Sequence, residues 1–478
     1  VTSATRPLDL ADIQGNVLRG YRFPVATHRF YHVRDVVRAR DTIRALIPRV
    51  THSEDEHHDG GCWSDGVKPR SALNIAFTWR GLEAIGVPQS ALWAFPEEFR
   101  AGMQARARVL VDLDRSAPEH WESMWRDAQV HVVVMLMANS PTSLEDRLHE
   151  LQAVVHEYDG LVEVGSQDAQ MESVGGKMRE HFGYLDGFGN PEIEGAPGTM
   201  RPGRGKLAGK SGWAPLAAGE FVLGQRNEAG EVAPTPQPSM LFRNGTFMVY
   251  RKLHQNVATF RRFLKEEGAR FSGGPELLAA KLMGRWMDGT PIMHSPDHPD
   301  AELAADNMRN TDFRYSGDPH GAVCPLGAHI RRANPRDAIG FDGVTVNRRR
   351  MIRRGLPYGA YTPPDEPGDD RRSQGLLFIA FVASISEQFE FVQQQWMNYG
   401  NDFALGNDKD TVVGVRTSDR DRLLIPGDPA RSDRRPTHFC FSLPQFVETR
   451  GGEYFFLPSL AGLGVIAGPS TSSSSETR

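Results

Sequence analysis

The chain has 478 residues, of which 39% are hydrophobic and 24% charged, the balance of an ordinary globular protein. Its 55 basic and 60 acidic side chains leave a formal net charge of -5, which provides no long-range field for nucleic acid. Cys62, Cys324 and Cys440 are scattered without CxxC or CxxCH spacing, which argues against an iron–sulfur cluster, a Cys-rich zinc site or c-type haem attachment. No apolar run reaches the roughly 18 residues of a membrane span.

The opening segment, VTSATRPLDLADIQGN, has no secretory h-region. The expectation is a cytoplasmic enzyme, with secretion left open because the chain begins at Val1. His52–Pro69 is rich in Asp, Glu, His and Gly. His52, His57 and His58 with Asp55 and Asp59 read as a solvated loop, a metal site being the alternative. Leu73–Trp79 and the β-branched Val130–Ala138 are strands suited to a buried sheet. A helix follows from Ser143, its cap, to Tyr158, with Leu144, Leu148 and Leu151 at helical spacing. Leu161–Val164 is a further short strand.

The Gly- and Pro-rich stretch Gly195–Pro238 passes from one half to the other, with a boundary near residue 215. Strand and helix then return as Thr246–Lys252 and Asn256–Glu267, and again as Leu376–Val382 and Ser386–Met397. Repeated strand–helix–strand units predict an α+β chain with domains 8–215 and 216–465. The tail 466–478 is expected to be disordered, Pro469–Arg478 holding five serines and no core-forming aliphatic residue.

Two segments carry chemistry: GYLDGFGNPEI at Gly183–Ile193 and CPLGAHIRRANPRD at Cys324–Asp337. Glycines let a backbone press against a flat ligand, so Gly187 and Gly189 are candidate contacts to one. Asp186 among them is a candidate proton-transfer acid; the alternative is an aspartate capping its own turn. His329 is a candidate iron ligand, behind the small Gly327 and Ala328. Arg331, Arg332 and Arg336 follow and are suited to neutralising carboxylates. In the basic run Arg348–Arg354, Arg353 is the candidate cation for an anionic intermediate. A nucleic-acid surface is disfavoured there because no aromatic residues interleave the run. An axial ligand, an acid and a cation are the inventory of a haem peroxidase.

These residues resemble the dye-decolourising peroxidase family. Asp12–Leu18 is similar to its IQGN segment, Gly183–Gly187 to its GxxDG motif, and Ala328–Arg336 to its proximal-histidine segment. Ile352–Arg353 with Pro357–Gly359 resembles its distal-arginine segment, and Gly375–Phe378 the strand lining its haem pocket. The resemblance runs from about residue 12 to residue 460 and favours the larger members of the family. It implies two ferredoxin-like domains with antiparallel sheets and peripheral helices, and non-covalent haem b held mainly by the C-terminal half. It makes His329 the proximal iron ligand, Asp186 the distal acid, Arg353 the distal cation and Arg336 a propionate partner. Leu376 and Phe378 form the distal wall. Some members carry a polar side chain two residues after the distal arginine, where this chain has Gly355. The acid behind the proximal histidine is expected to be Asp410, with Glu387 and Asp408 as alternatives.

The reaction implied is reduction of hydrogen peroxide to water with oxidation of dyes, phenols or similar one-electron donors. Trp396 and Tyr399 are candidates for carrying oxidising equivalents to bulky donors at the surface. Manganese(II) is an alternative donor, with Glu266, Glu267 and Glu276 as candidate oxygen ligands. A non-enzymatic haem carrier and a chlorite dismutase-like enzyme are the rival readings. Asp186 with Arg353 argues against the carrier, and the acidic GxxDG segment against the dismutase. No nucleic-acid or membrane partner is expected, and a homo-oligomer is left open.

Overall fold

The computed structural model describes residues 7–54, 68–174, 177–209, 212–233, 237–418, 421–427 and 435–469. Asp55, His57, His58, Asp59, Cys62 and the tail beyond residue 469 lie outside the described residues.

Nine antiparallel strands form one sheet. The N-terminal half supplies β1 (Val25–Val33), β2 (Ser71–Phe77), β3 (Val132–Ala138) and β4 (Leu161–Gln170). The C-terminal half supplies β5 (Thr246–Gln255), β6 (Ile352–Arg353), β7 (Leu356–Tyr358) and β8 (Gly375–Val382). A separate hairpin, β9 (Arg422–Ile425) and β10 (His438–Phe441), precedes the last sheet strand, β11 (Val447–Leu457). The order is β6-β8-β5-β11-β2-β3-β1-β4, with β7 also on β8. The halves meet edge to edge through one pair, Phe456 with Phe77. At the far ends β7 packs against β4, so the sheet curves round on itself. Every residue of β3 is buried, as a β-branched run covered on both faces requires. β1 and β11 are not evident in the sequence, because VATHRFYHV mixes polar with apolar residues and VETRGGEYFFL is broken by two glycines. In β11 those glycines accommodate a register shift between Thr449 and Gly451.

Among the described residues five helices have eight or more residues: α1 (Val36–Leu46), α2 (Pro141–Tyr158), α3 (Val257–Gly268), α4 (Gly274–Met283) and α5 (Leu460–Ala467). The cap of α2 is Ser140, not Ser143: its hydroxyl accepts the Ser143 N–H at 3.2 Å, and Pro141 occupies the first turn, where a missing N–H costs nothing. The segment expected as an α-helix over Ser386–Met397 is wound with wide π turns from Ile385 to Met397. Such turns are frequent at functional sites, and Phe389, Val392, Gln393 and Met397 on them line the main cavity. α5 corrects the tail boundary, since Ile466 and Ala467 are helical and buried. No helix among the described residues is long and apolar enough to cross a membrane.

The IQGN segment is a joint. Gln14 is fully buried; its Nε2 donates to Ile75 O and Pro458 O, both at 2.8 Å, and its Oε1 accepts the Ile75 N–H at 2.9 Å. One side chain thus ties β2 to the turn after β11. Asn16 O accepts from Arg354 Nε at 2.8 Å, which anchors the strand carrying Arg353.

Candidate active site

A cavity of about 350 Å³ lies between the sheet and loops of both halves, including the 180–190 segment of the N-terminal half. Its size is at the lower end for small-molecule and cofactor sites. Asp186, Gly187, Gly189, His329, Arg336, Arg353, Leu376 and Phe378 all line it, so the residues singled out in the sequence converge on one space.

His329 opens the short helix His329–Ala333. Its Nδ1 lies 3.0 Å from Asp410 Oδ2. Among the described residues its Nε2 has no hydrogen-bond partner, and the ring borders the cavity. Asp410 is fully buried and also accepts the N–H groups of Val412 and Val413 at 2.9 and 2.7 Å. Burial alone pulls the His329 imidazole down, but the Asp410 carboxylate prevails and raises it above its ordinary value. Burial pushes Asp410 up, yet His329 and the backbone donors hold it below the usual carboxylate range. The alternatives are occupied elsewhere: Glu387 pairs with Arg349, and Asp408 with Arg422.

The glycine-rich loop turns with φ of 102° at Gly183, 92° at Gly187 and 74° at Gly189, a region that side chains disfavour. A Cβ added at Gly187 or Gly189 would meet no atom within 4 Å, so the backbone faces open space. Asp186 Oδ1 accepts the Gly187 N–H at 2.6 Å, which orients the carboxylate. Asn190 clamps this loop to β6: its Oδ1 accepts the Arg353 N–H at 2.9 Å and its Nδ2 donates to Arg353 O at 3.1 Å. Arg353 Nη2 donates to Phe188 O at 2.6 Å. Asp186 and Arg353 form no ion pair with each other within 4.0 Å. At Gly355 an added Cβ would sit 2.3 Å from Leu377 O, so a side chain there would require the backbone to shift.

Arginines are concentrated on the cavity wall. Arg285, Arg336, Arg350 and Arg353 all border it, and none has a carboxylate partner among the described residues. Arg336 donates to Phe313 O at 3.0 Å and lies over the Phe313 ring, 4.0 Å from its centroid. Burial and the neighbouring cations push Arg285 and Arg350 down to about 9, and burial also lowers Arg336. Buried cations without counter-charges are costly. The cluster therefore fits a ligand that brings anionic groups. With a flat glycine-lined approach, apolar walls and a free imidazole nitrogen, it accommodates haem with its propionates.

Arg331 and Arg332, expected beside Arg336 at those carboxylates, point elsewhere. Arg331 is buried against Asp318 at 3.0 Å, and Arg332 donates to Tyr399 O and Asp408 O. Neither of the two lines the cavity. Arg285 and Arg350 take their place and were not singled out in the sequence: Arg285 carries no motif, and Arg350 sits in a run of similar side chains. Glu180 was missed too. It lines the cavity, and its carboxylate accepts Phe182 N, Tyr184 N and Gln255 Nε2 at 3.0, 2.8 and 2.6 Å, shaping the turn before Asp186.

Trp396 is 3% exposed and donates to Asp402 Oδ2 at 3.1 Å, while Tyr399 is 41% exposed. Their neighbour Met397 lines the cavity. Glu266 and Glu276 are exposed, and Glu267 is buried. Among the described residues neither Glu266 nor Glu276 belongs to any trio of metal-ligand atoms, so the expected manganese ligands do not converge.

Residues 12–179 match the family model described as the DyP dimeric alpha+beta barrel domain, and residues 224–406 match that of the Dyp-type peroxidase C-terminal domain. A multifunctional dye peroxidase, DyP2, from an Amycolatopsis species is 30% identical, with 95% of each chain covered. The dye-decolorizing peroxidase msp1 of Mycetinis scorodonius is 28% identical, over 96% of this chain and 88% of its own. The solved structure of an ancestral D-type dye decolorizing peroxidase superposes with a TM-score of 0.80 at 29% identity, covering 96% of this chain and 99% of its own. A dye-decolorizing peroxidase solved with 2,6-dimethoxyphenol gives 0.79 at 26% identity, with 96% and 100% covered.

Proposed function

The chain belongs to the dye-decolourising peroxidase family and is a haem-dependent peroxidase, and on that premise we propose how its own residues divide the work. The observation that carries the reading is the cavity where His329, Asp186, Arg353 and three further arginines meet. The cavity would hold non-covalent haem b, His329 Nε2 serving as the iron ligand and Arg285, Arg336 and Arg350 meeting the propionates. Haem, when bound, would supply an iron centre that accepts two oxidising equivalents from hydrogen peroxide and is returned to rest by two one-electron donations from the donors.

Asp410 holds the Nδ1 proton of His329, fixing the tautomer and leaving Nε2 to donate. Asp186, on the other side of the cavity, takes the proton from the inner peroxide oxygen and delivers it to the outer one, which leaves as water. Arg353 favours the hydroperoxide anion and stabilises the charge that develops as the O–O bond stretches. Asn190 keeps the two in register by binding both backbone polar groups of Arg353. Leu376 and Phe378 exclude water from the same space. Because Gly355 offers no side chain, Asp186 and Arg353 carry the distal chemistry alone. Dyes and phenols are the donors. Trp396 and Tyr399 form the route by which bulky ones are oxidised at the surface.

The test is purified protein loaded with haem and given hydrogen peroxide with an anthraquinone dye and 2,6-dimethoxyphenol. Rapid peroxide-dependent bleaching and phenol oxidation are expected. A haem-replete protein without peroxide-dependent turnover would establish the carrier reading instead.

Two further results are expected. Asp410→Asn weakens the pull on the Nδ1 proton. The reduction potential of the bound iron then moves positive and turnover falls by about 10–100-fold, the usual cost of losing such a partner. Spectroelectrochemical titration beside steady-state assay reads both, and an unchanged potential would remove Asp410 from this role. Arg350→Leu deletes one charged hydrogen bond to a propionate, worth roughly 1.5–3 kcal/mol, or about 10–100-fold in haem affinity. Haem transfer to apomyoglobin measures it; equal loss rates in both proteins would place the propionates elsewhere.

A further inference from the structure

Away from the haem cavity, Glu267, His438 and Cys440 bring one ligand atom each to within 4.8 Å of one another. They are the only such trio among the described residues. None of them lines the cavity described above. We propose that these three side chains bind a zinc-class divalent cation that pins the β9–β10 hairpin to helix α3.

The local structure follows from the strand period. β10 reads His-Phe-Cys-Phe, so residues 438 and 440 share one face, and 439 and 441 the other. Phe439 and Phe441 stack in parallel on the outer face, 44% and 59% exposed, while Cys440 is fully buried. The inner face therefore turns both potential ligands toward the last turn of α3, where Glu267 stands. Glu267 Oε1 is 2.8 Å from His438 Nε2, and Glu267 Oε2 accepts from Arg270 at 3.0 Å. His438 is partly exposed, so the trio meets solvent at that side chain.

The donor set selects the metal. Zinc binds thiolate at about 2.3 Å, imidazole at about 2.0–2.1 Å and carboxylate at about 2.0–2.2 Å. A tetrahedral arrangement of these lengths has ligand–ligand edges of roughly 3.3–3.6 Å. The trio reaches that by opening the histidine–glutamate contact slightly and drawing in the sulfur. Three protein ligands leave a fourth position for water. A thiolate disfavours manganese(II), magnesium and calcium, which prefer all-oxygen sites. Glu267 is thus drawn away from the manganese role that its neighbours in sequence suggested. Binding forms a metal–sulfur bond and releases the thiol proton to solvent.

The haem-loaded protein is treated with a chelator, dialysed against zinc chloride and freed of excess metal. One zinc per chain is expected, in addition to the haem iron. Zinc K-edge absorption fine structure should show one sulfur at about 2.3 Å beside nitrogen and oxygen at about 2.0–2.1 Å. Cys440→Ser should lose the sulfur shell and weaken zinc binding at least about tenfold, while Cys324→Ser keeps both. His438→Asn, a change at a partly exposed side chain, carries the same test if Cys440→Ser does not fold; haem content reports folding in each. Zinc that does not remain bound, or a first shell without sulfur, would overturn the assignment, as would equal zinc affinity in the His438 variant.

Discussion

Replacing His329 by alanine is expected to empty the protein of function rather than to slow it. Among the described residues His329 is the one imidazole on the cavity wall, its Nε2 has no hydrogen-bond partner, and Asp410 behind it is fully buried. Removing the ring deletes the axial bond. It also leaves the buried Asp410 carboxylate without the Nδ1 donor of His329, which is itself destabilising. The variant should purify with little haem, show an altered ferric spectrum when loaded, and lose peroxidase turnover almost completely. Normal haem content, spectrum and turnover in His329→Ala would assign the iron to another residue.

The second large effect falls on the distal pair. Arg353→Leu removes the cation placed by Asn190, and the second-order rate with hydrogen peroxide should fall by about 10²–10³-fold. Asp186→Asn keeps the turn but removes the proton carrier, with an expected loss of about 10²–10⁴-fold. Haem content should be nearly unchanged in both, since neither residue ligates the iron. Stopped-flow absorbance of the Soret band after mixing with peroxide measures the rate. Rates equal to the parent protein in both variants, across pH, would reject the roles.

Much of this site is legible in the sequence because it is local. GYLDGFGN carries its meaning in glycine spacing, and AHIRRANPR places a histidine at the start of a short helix. The strand lining the pocket is a plain apolar run. What the sequence does not expose is long-range or conformational. Arg285 reaches the cavity from the turn after α4, and Glu180 acts on the backbone of Phe182 and Tyr184. Arg331 and Arg332 are chemically indistinguishable from Arg336, and only the folded path of the chain decides which one borders the cavity. The arginine run at 348–354 shows the same ambiguity. It reads as a basic surface, yet Arg350, Arg353 and Arg354 donate inward to Gly189 O, Phe188 O and Asn16 O. Strands β1 and β11 escape notice because one mixes polar with apolar residues and the other carries two glycines at a bulge.

The most direct test is a crystal structure of the haem-loaded protein. The account predicts iron bonded to His329 Nε2, with Asp410 on Nδ1. Asp186 and Arg353 should stand over the opposite face, with the propionates among Arg285, Arg336 and Arg350. Iron without His329, or haem bound with Asp186 and Arg353 outside its distal space, would contradict it.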